Sequence, residues 1–192
     1  MMSNVFRALR AVIVLGLLTG LLYPLAITGI AQLTMSDKAD GSLVRVGGTV
    51  VGSSAIGQQW DGDQWFHGRP SAIDYDASTS SGSNLGPNSK DLADEIGERA
   101  QAILKLEGPY RPGATVADIP VDLLTASASG LDPDISVAAA EFQAPRIAQV
   151  RGLSMEQVEA LIDEHTVGPA LGFLGQEHVN VLELNLALDR AT

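Results

Sequence analysis

No charged residue lies between Arg10 and Asp37. The gap runs for 26 residues, Ala11 to Ser36, and is mostly Leu, Ile, Val, Ala and Gly. As a helix it measures roughly 39 Å at about 1.5 Å per residue, enough to cross a bilayer with some tilt. Arg7 and Arg10 precede it without an acid nearby, whereas Asp37 and Asp40 follow it. Basic residues stay on the cytoplasmic side of a span. The expected layout is a short cytoplasmic N-terminus (1–10), a transmembrane helix (11–36) and an extracytoplasmic soluble domain (37–192). A cleaved signal peptide has a similar basic start, but its apolar stretch is about 7–15 residues and ends in a small-x-small site. The nearest such site, Ala26-Ile27-Thr28, lies inside the run, so an uncleaved anchor is the preferred reading. Within it, Gly16 and Gly20 form a GxxxG pair that allows close helix packing, and Pro24 is expected to kink the helix.

All 23 acids lie beyond residue 36, giving that part a formal charge of −13, the chain's −11 less the two early arginines. Such acidity excludes nucleic acid as a partner and disfavours an anionic lipid surface. The absence of cysteine excludes thiol chemistry and disulfides, so the outer part must rely on its own core.

Residues 37–42 read as a polar linker, and Leu43 to Val51 as strand broken at Gly47-Gly48. Gly52 to Ser89 shows no helical period, yet holds both tryptophans, Trp60 and Trp65, with Phe66. It reads as an ordered loop, because disordered linkers are poor in aromatics. Ser89 caps a helix ending before Gly108-Pro109, with Leu92, Ile96, Ala100, Ile103 and Leu104 on one face. Residues 109–131 read as loop. Asp132-Pro133 predicts a helix start, with the helix interrupted at Pro145 and resumed to Arg151. Ser154-Met-Glu-Gln157 is a capping box for a helix to about His165. Val179 to Leu188 alternates apolar residues with a period of two, which predicts a half-buried strand. Strands and helices outside strict alternation make the domain α+β, following a single N-terminal transmembrane helix.

Signatures of chemistry are sparse. His67, His165 and His178 are isolated, and neither a GxSxG elbow nor a phosphate-binding GxxxxGK[ST] loop occurs. Asp61-Gly-Asp63 and Asp74-Tyr-Asp76 read as solvated turn acids. Ser78 to Pro87 could turn successive N–H groups inward as an anion nest or could be a plain Ser/Gly turn. The cluster Thr125, Ser127, Ser129, Gly130 has the same two readings. No catalytic residue and no metal ligand is proposed.

Taken in order, these stretches resemble the KdpC family, the C subunits of Kdp potassium-transporting ATPases. The likeness rests on the N-terminal span, Gly57-Gln58, Trp65-Phe66, Arg69-Pro70-Ser71-Ala72, Tyr75 and Ser81 to Pro87. It continues through Pro120-Val-Asp122, Thr125 to Ser136, Ala138 to Gln143, Pro145-Arg146, Arg151-Gly152, Leu171-Gly172, Val179 to Asn185 and Leu188-Asp189. Ser81 and Ala128 each stand where the family usually has Gly. The resemblance implies a single-pass subunit of the cell (inner) membrane, with a channel-like A subunit and an ATP-hydrolysing B subunit as partners. It implies support of assembly, and a chaperone-like increase in the ATP affinity of the B subunit. ATP and potassium would be handled by the complex and no cofactor held firmly. Candidate helix-packing residues are Gly16, Gly20 and Pro24. Candidate interface or nucleotide-affinity loops comprise Trp65, Phe66, Arg69, Pro70, Ser81, Gly82, Ser83, Asn84, Leu85, Gly86 and Pro87, with Thr125, Ser127, Ser129, Gly130, Asp132 and Pro133. An anchored hydrolase or a solute-binding module are the rival classes.

Overall fold

A computed structural model describes residues 2–191, which divide into two compact units at Val51 and Gly52. The first unit begins with helix α1 (Met2–Leu17), a π-helical segment (Leu18–Leu22) and α2 (Tyr23–Thr34). From Ser3 to Thr34 this is one helix of 32 residues, its most apolar 18-residue stretch with mean hydropathy 2.2, long and apolar enough to cross a membrane. Its widened turn sits just before Pro24, whose ring and missing N–H disfavour an α-helical bond to Gly20. There the Tyr23 N–H reaches Leu18 O instead. Thr19 and Thr34 hydroxyls fold back onto Leu15 O and Ile30 O, each at 2.8 Å. Nothing lies within 4 Å of a Cβ built on Gly16 or Gly20, so both glycines are open to a neighbouring helix.

One helical turn, α3 (Ser36–Ala39), stands in the expected linker. The hairpin β1 (Leu43–Val46) and β2 (Thr49–Ser53) then turns at Gly47 and Gly48. Their φ values of 57° and 85° suit the two-residue turn that matches strand twist, where glycine carries no Cβ penalty.

The second unit is α+β. Helix α4 (Lys90–Glu107) starts on the expected Ser89 cap and stops at Gly108. The stretch expected as loop carries a 3-10 turn (Val116–Asp118) and the short α5 (Val121–Leu124). Strand β3 (Asp134–Ile135) precedes α6 (Val137–Arg151) and α7 (Met155–Glu164). Strands β4 (Thr166–Val167) and β5 (His178–Asn180) and helix α8 (Val181–Ala191) close the chain. The small antiparallel sheet is ordered β3-β5-β4. Both expected bonds of the Ser154 capping box are present.

Helix α6 is the centre. Ala139, Ala140, Phe142, Ala144, Ile147 and Ala148 are all buried, so it is covered on most sides rather than along one stripe. Two expectations fail around it. The helix starts at Ser136, whose hydroxyl accepts Ala139 N–H at 3.0 Å, while residues 134–135 pair with β5. Nor does Pro145 interrupt it. A proline leaves the carbonyl four residues earlier without its donor, and Arg111 supplies one: Nη2 donates to Glu141 O at 2.7 Å and Nε to Phe142 O at 2.8 Å. The guanidinium also lies 4.9 Å from the Phe142 ring centroid, so one side chain splints the helix.

The third correction is at the C-terminus, where only residues 178–180 are strand and Val181 onward is helix. Asn180 caps it, its Oδ1 accepting Glu183 N–H at 3.2 Å. The buried positions Val181, Leu184, Asn185 and Leu188 follow the helical spacing i, i+3, i+4, i+7.

Candidate functional site

The loop Gly57–Gly82 has almost no regular structure, so its backbone groups must find partners elsewhere. Two amides provide them by imitating a neighbouring strand. Asn185 on α8 accepts from Phe66 N–H and donates to Phe66 O, both at 2.9 Å. Gln143 on α6 repeats this one residue on, with His67 N–H at 2.8 Å and His67 O at 3.0 Å. Phe66 is fully buried and belongs to the core, offering no surface to a partner.

Below them lies Arg146, fully buried on α6. Its Nε donates to Glu107 Oε1 at 2.9 Å, its Nη2 to Gln143 Oε1 at 2.9 Å, and its Nη1 to the carbonyls of Trp65 (2.9 Å) and Asp63. Burial pushes the Glu107 carboxyl above its ordinary range, against the pull of Arg146. Burial likewise lowers the pKa of His67, so at neutral pH its Nε2 is read as a neutral N–H donating to Gly62 O at 3.0 Å. Trp65 is held between Arg151, 4.3 Å from its ring centroid, and Trp60 at 5.0 Å.

The two Ser/Thr-rich stretches meet along a second seam. Ser81 N–H donates to Ser129 O at 2.9 Å, and Ser127 N–H to Pro70 O at 3.1 Å. Ser127 is buried, its hydroxyl accepting Gly130 N–H at 2.9 Å, while Ser129 Oγ accepts Leu131 N–H at 3.1 Å. Ser71 Oγ donates to Gly130 O at 2.7 Å, and Tyr75 Oη to Arg69 O at 2.5 Å. Burial raises the Tyr75 phenol to about 12, which keeps that proton in place. Gly57 N–H donates to Leu131 O at 2.9 Å, and a Cβ here would fall on Asp132 O and 2.9 Å from Tyr75 Cε1. Neither Ser81 nor Ala128 has a positive φ, so the two departures from glycine carry no left-handed strain.

Arg69 joins the seams through a 3.0 Å ion pair with Asp132 and a 3.4 Å bond to Thr125 O. Pro133 leads into β3, and its carbonyl accepts Val181 N–H at 3.0 Å. The turn Ser83–Pro87 stands apart: Ser83, Asn84, Gly86 and Pro87 are exposed and Leu85 is half-buried. Asn84, at φ 55°, donates to Gly82 O at 3.0 Å. A groove of about 430 Å³ opens beside Arg69, lined also by Asp122, Asp132, Asp134, Ser136 and His178. Three of its acids are engaged: both Asp122 oxygens hold Ser136, Asp132 pairs with Arg69, and Asp134 meets Asn180 at 3.0 Å, while Glu177 also lines the groove. Among the described residues no group of three or more His, Asp or Glu is placed to hold a metal.

This arrangement ties the loop and both Ser/Thr-rich stretches to the body through internal hydrogen bonds. Sequence reasoning missed Glu107, Gln143 and Asn185 as the ties of the loop. The signal available was a polar residue at a helical core position.

A family model described as KdpC, the c chain of the K+-transporting ATPase, matches residues 5–190. The chain belongs to the KdpC family. It is 54% identical over 192 residues to the potassium-transporting ATPase KdpC subunit of Variovorax paradoxus (strain S110), covering 98% of this chain and 97% of the relative. The subunit of the same name from Mycobacterium tuberculosis (strain ATCC 25618 / H37Rv) is 49% identical, over 99% and 100%. That of Rhodopseudomonas palustris (strain TIE-1) is 48% identical, over 100% and 98%. The resemblance carried by the ordered motifs is therefore family membership across nearly the whole chain.

In this KdpC chain, Arg69→Ala separates two roles for the loop. Losing the half-buried pair and the Thr125 bond should cost about 1–2 kcal/mol, read as a lower melting temperature of the detergent-solubilised chain. An unchanged melting temperature with lost activity of an assembled ATPase would instead assign Arg69 to an interface.

Proposed function

We propose that the chain is a non-enzymatic accessory subunit of a potassium-transporting ATPase, supporting its assembly from the membrane. The match to the c-chain family over residues 5–190 carries this reading. The 32-residue apolar helix supports it, since none of that helix is buried and it needs lipid or partner helices around it. Arg7 and Arg10 ahead of the helix support a cytoplasmic N-terminus with residues 37–192 outside, in a cell (inner) membrane. Partners are a channel-like A subunit and an ATP-hydrolysing B subunit, with ATP and potassium handled by the complex. On that topology the body faces the potassium entrance, and assembly or coverage of that entrance is its easier role. Raising the ATP affinity of the B subunit would have to act across the membrane, or through about ten cytoplasmic residues.

A hydrolase or solute-binding reading is less well supported, because the hydroxyl of Ser127 and the carboxylate of Asp122 are spent on backbone and turn bonds. Co-expression with the two large subunits and purification in mild detergent tests the proposal. The chain should co-purify with them, retain residues 1–36 by intact mass, and be needed for potassium-stimulated ATPase activity. A chain that purifies alone, starts between Thr28 and Asp40, or turns over ATP or simple esters by itself would overturn it.

A further inference from the structure

Strands β4 and β5 are joined by residues 168–177, which form a built and apolar projection. Ala170 and Leu174 exchange two backbone bonds, Ala170 N–H to Leu174 O at 2.8 Å and Leu174 N–H to Ala170 O at 2.9 Å. Gly172 N–H donates to Pro169 O at 3.0 Å. Between these bonds Leu171 is 83% exposed, Phe173 73% and Leu174 52%, with Val167 at the base 49% exposed. Leu171 has φ 56°, a left-handed conformation that disfavours any residue with a Cβ and that persists where the surroundings impose it. The turn, closed by Phe173 N–H donating to Ala170 O at 3.3 Å, accounts for the positive φ of Leu171 and Gly172 (81°), but not for its composition: large apolar side chains are held out in water, one of them at a turn position that favours Gly, Asn or Asp. Clustered exposure of that kind marks a contact surface.

We propose that this turn is a docking tip, seating Leu171, Phe173 and Leu174 in an apolar cleft on the extracytoplasmic face of a membrane-embedded partner subunit. The inference rests on the reading of the chain as an anchored subunit and names a surface for it. Charge argues against lipid as the occupant. Segments that lie on membranes carry Lys or Arg beside their apolar residues, whereas no Lys or Arg occurs between Arg151 and Arg190, and Glu177 flanks the turn. Area argues against a second copy. One aromatic side chain covers about 150–250 Å² and the two leucines less each, at most roughly 500–750 Å² together, below the ~800 Å² per partner of a stable interface. A small tip suffices only when another element holds the partners together and raises their effective concentration. The apolar N-terminal helix is such an element.

The test places a photo-crosslinking benzoylphenylalanine at Phe173 in the full chain, co-expressed with the partner subunits and irradiated in membranes. The expected product joins position 173 to a partner polypeptide. Leu171→Asp in the same chain should lower its yield at least about tenfold, the order expected when an interface anchor is charged. The melting temperature should stay unchanged, because the side chain is exposed. Leu171→Gly, which relieves the positive φ, should also lower the yield without lowering stability. A chain that co-purifies but crosslinks only to phospholipid, to a second copy or to nothing overturns the tip alone. A chain that fails to co-purify overturns both the tip and the subunit reading.

Discussion

Arg146→Met should cost the body about 3–5 kcal/mol, the loss typical of breaking a buried ion pair by removing one partner. Four bonds go at once: those to Glu107, Gln143, and the carbonyls of Trp65 and Asp63. Methionine fills much of the space but donates nothing. It leaves a carboxylate that is 2% exposed without its cation and two loop carbonyls without donors. Arg146→Lys should recover less than half of the loss, because a point charge cannot reach carboxylate, amide and carbonyls together. Removing both charges, with Arg146→Met and Glu107→Leu, should be less damaging than the arginine change alone, as for other buried pairs replaced by apolar groups. Chemical denaturation of the detergent-solubilised chain measures all three. A loss under about 1 kcal/mol for Arg146→Met would mean that the network is not what holds the loop.

Gly130→Ala is the second large effect expected. Gly130 sits at φ 70°, and a Cβ there meets Ile73 Cγ1 at 2.5 Å and Ser81 O at 2.8 Å. The left-handed backbone costs an L-residue about 1–2 kcal/mol, and overpacking adds about 1–3 kcal/mol. The side chain of Ile73 can give, but the Ser81 carbonyl belongs to the seam and cannot move without straining its neighbours. Gly82→Ala is the control. Its added Cβ stands 3.1 Å from Ala128 O and no positive φ is involved, so its cost should be clearly smaller. Thermal unfolding of the two variants should rank them in that order. Equal melting temperatures would show that the tight approach at Gly130 is relieved elsewhere.

What the sequence made legible was local. The Ser89 and Ser154 caps, the Gly47-Gly48 turn and the apolar N-terminal run each carry their signal within a few residues, and each element formed where that signal pointed. The failures are equally physical. Residues 182, 184, 186 and 188 do alternate, but Asn180 and Glu183 are an equally local helix start, and Asn185 hid the helical stripe by placing an amide in it. That amide is buried because Phe66, far away in sequence, needs both of its bonds. Pro145 predicts a break unless the orphaned carbonyl finds a donor, and nothing near it in sequence announces Arg111. The candidate loops were located from an ordered resemblance, but their partners were not, since those contacts are made by residues dozens of positions apart.

The same distances set the order in which the molecule can be completed. Phe66 is bonded to a residue 119 positions later, and His67 to one 76 positions later. A ribosome delivers residues 57–82 early, yet the amide that must close on Phe66 arrives in the last helix. Until Asn185 has been made, Phe66 lacks both partners of its backbone, although Arg146 and Gln143 can already reach Trp65 and His67 on either side. Closing so large a loop is an entropic toll on the folding rate. A chain cut short before residue 185 should therefore hold the tryptophan loop less firmly, with Phe66 untied even where α4 and α6 have formed.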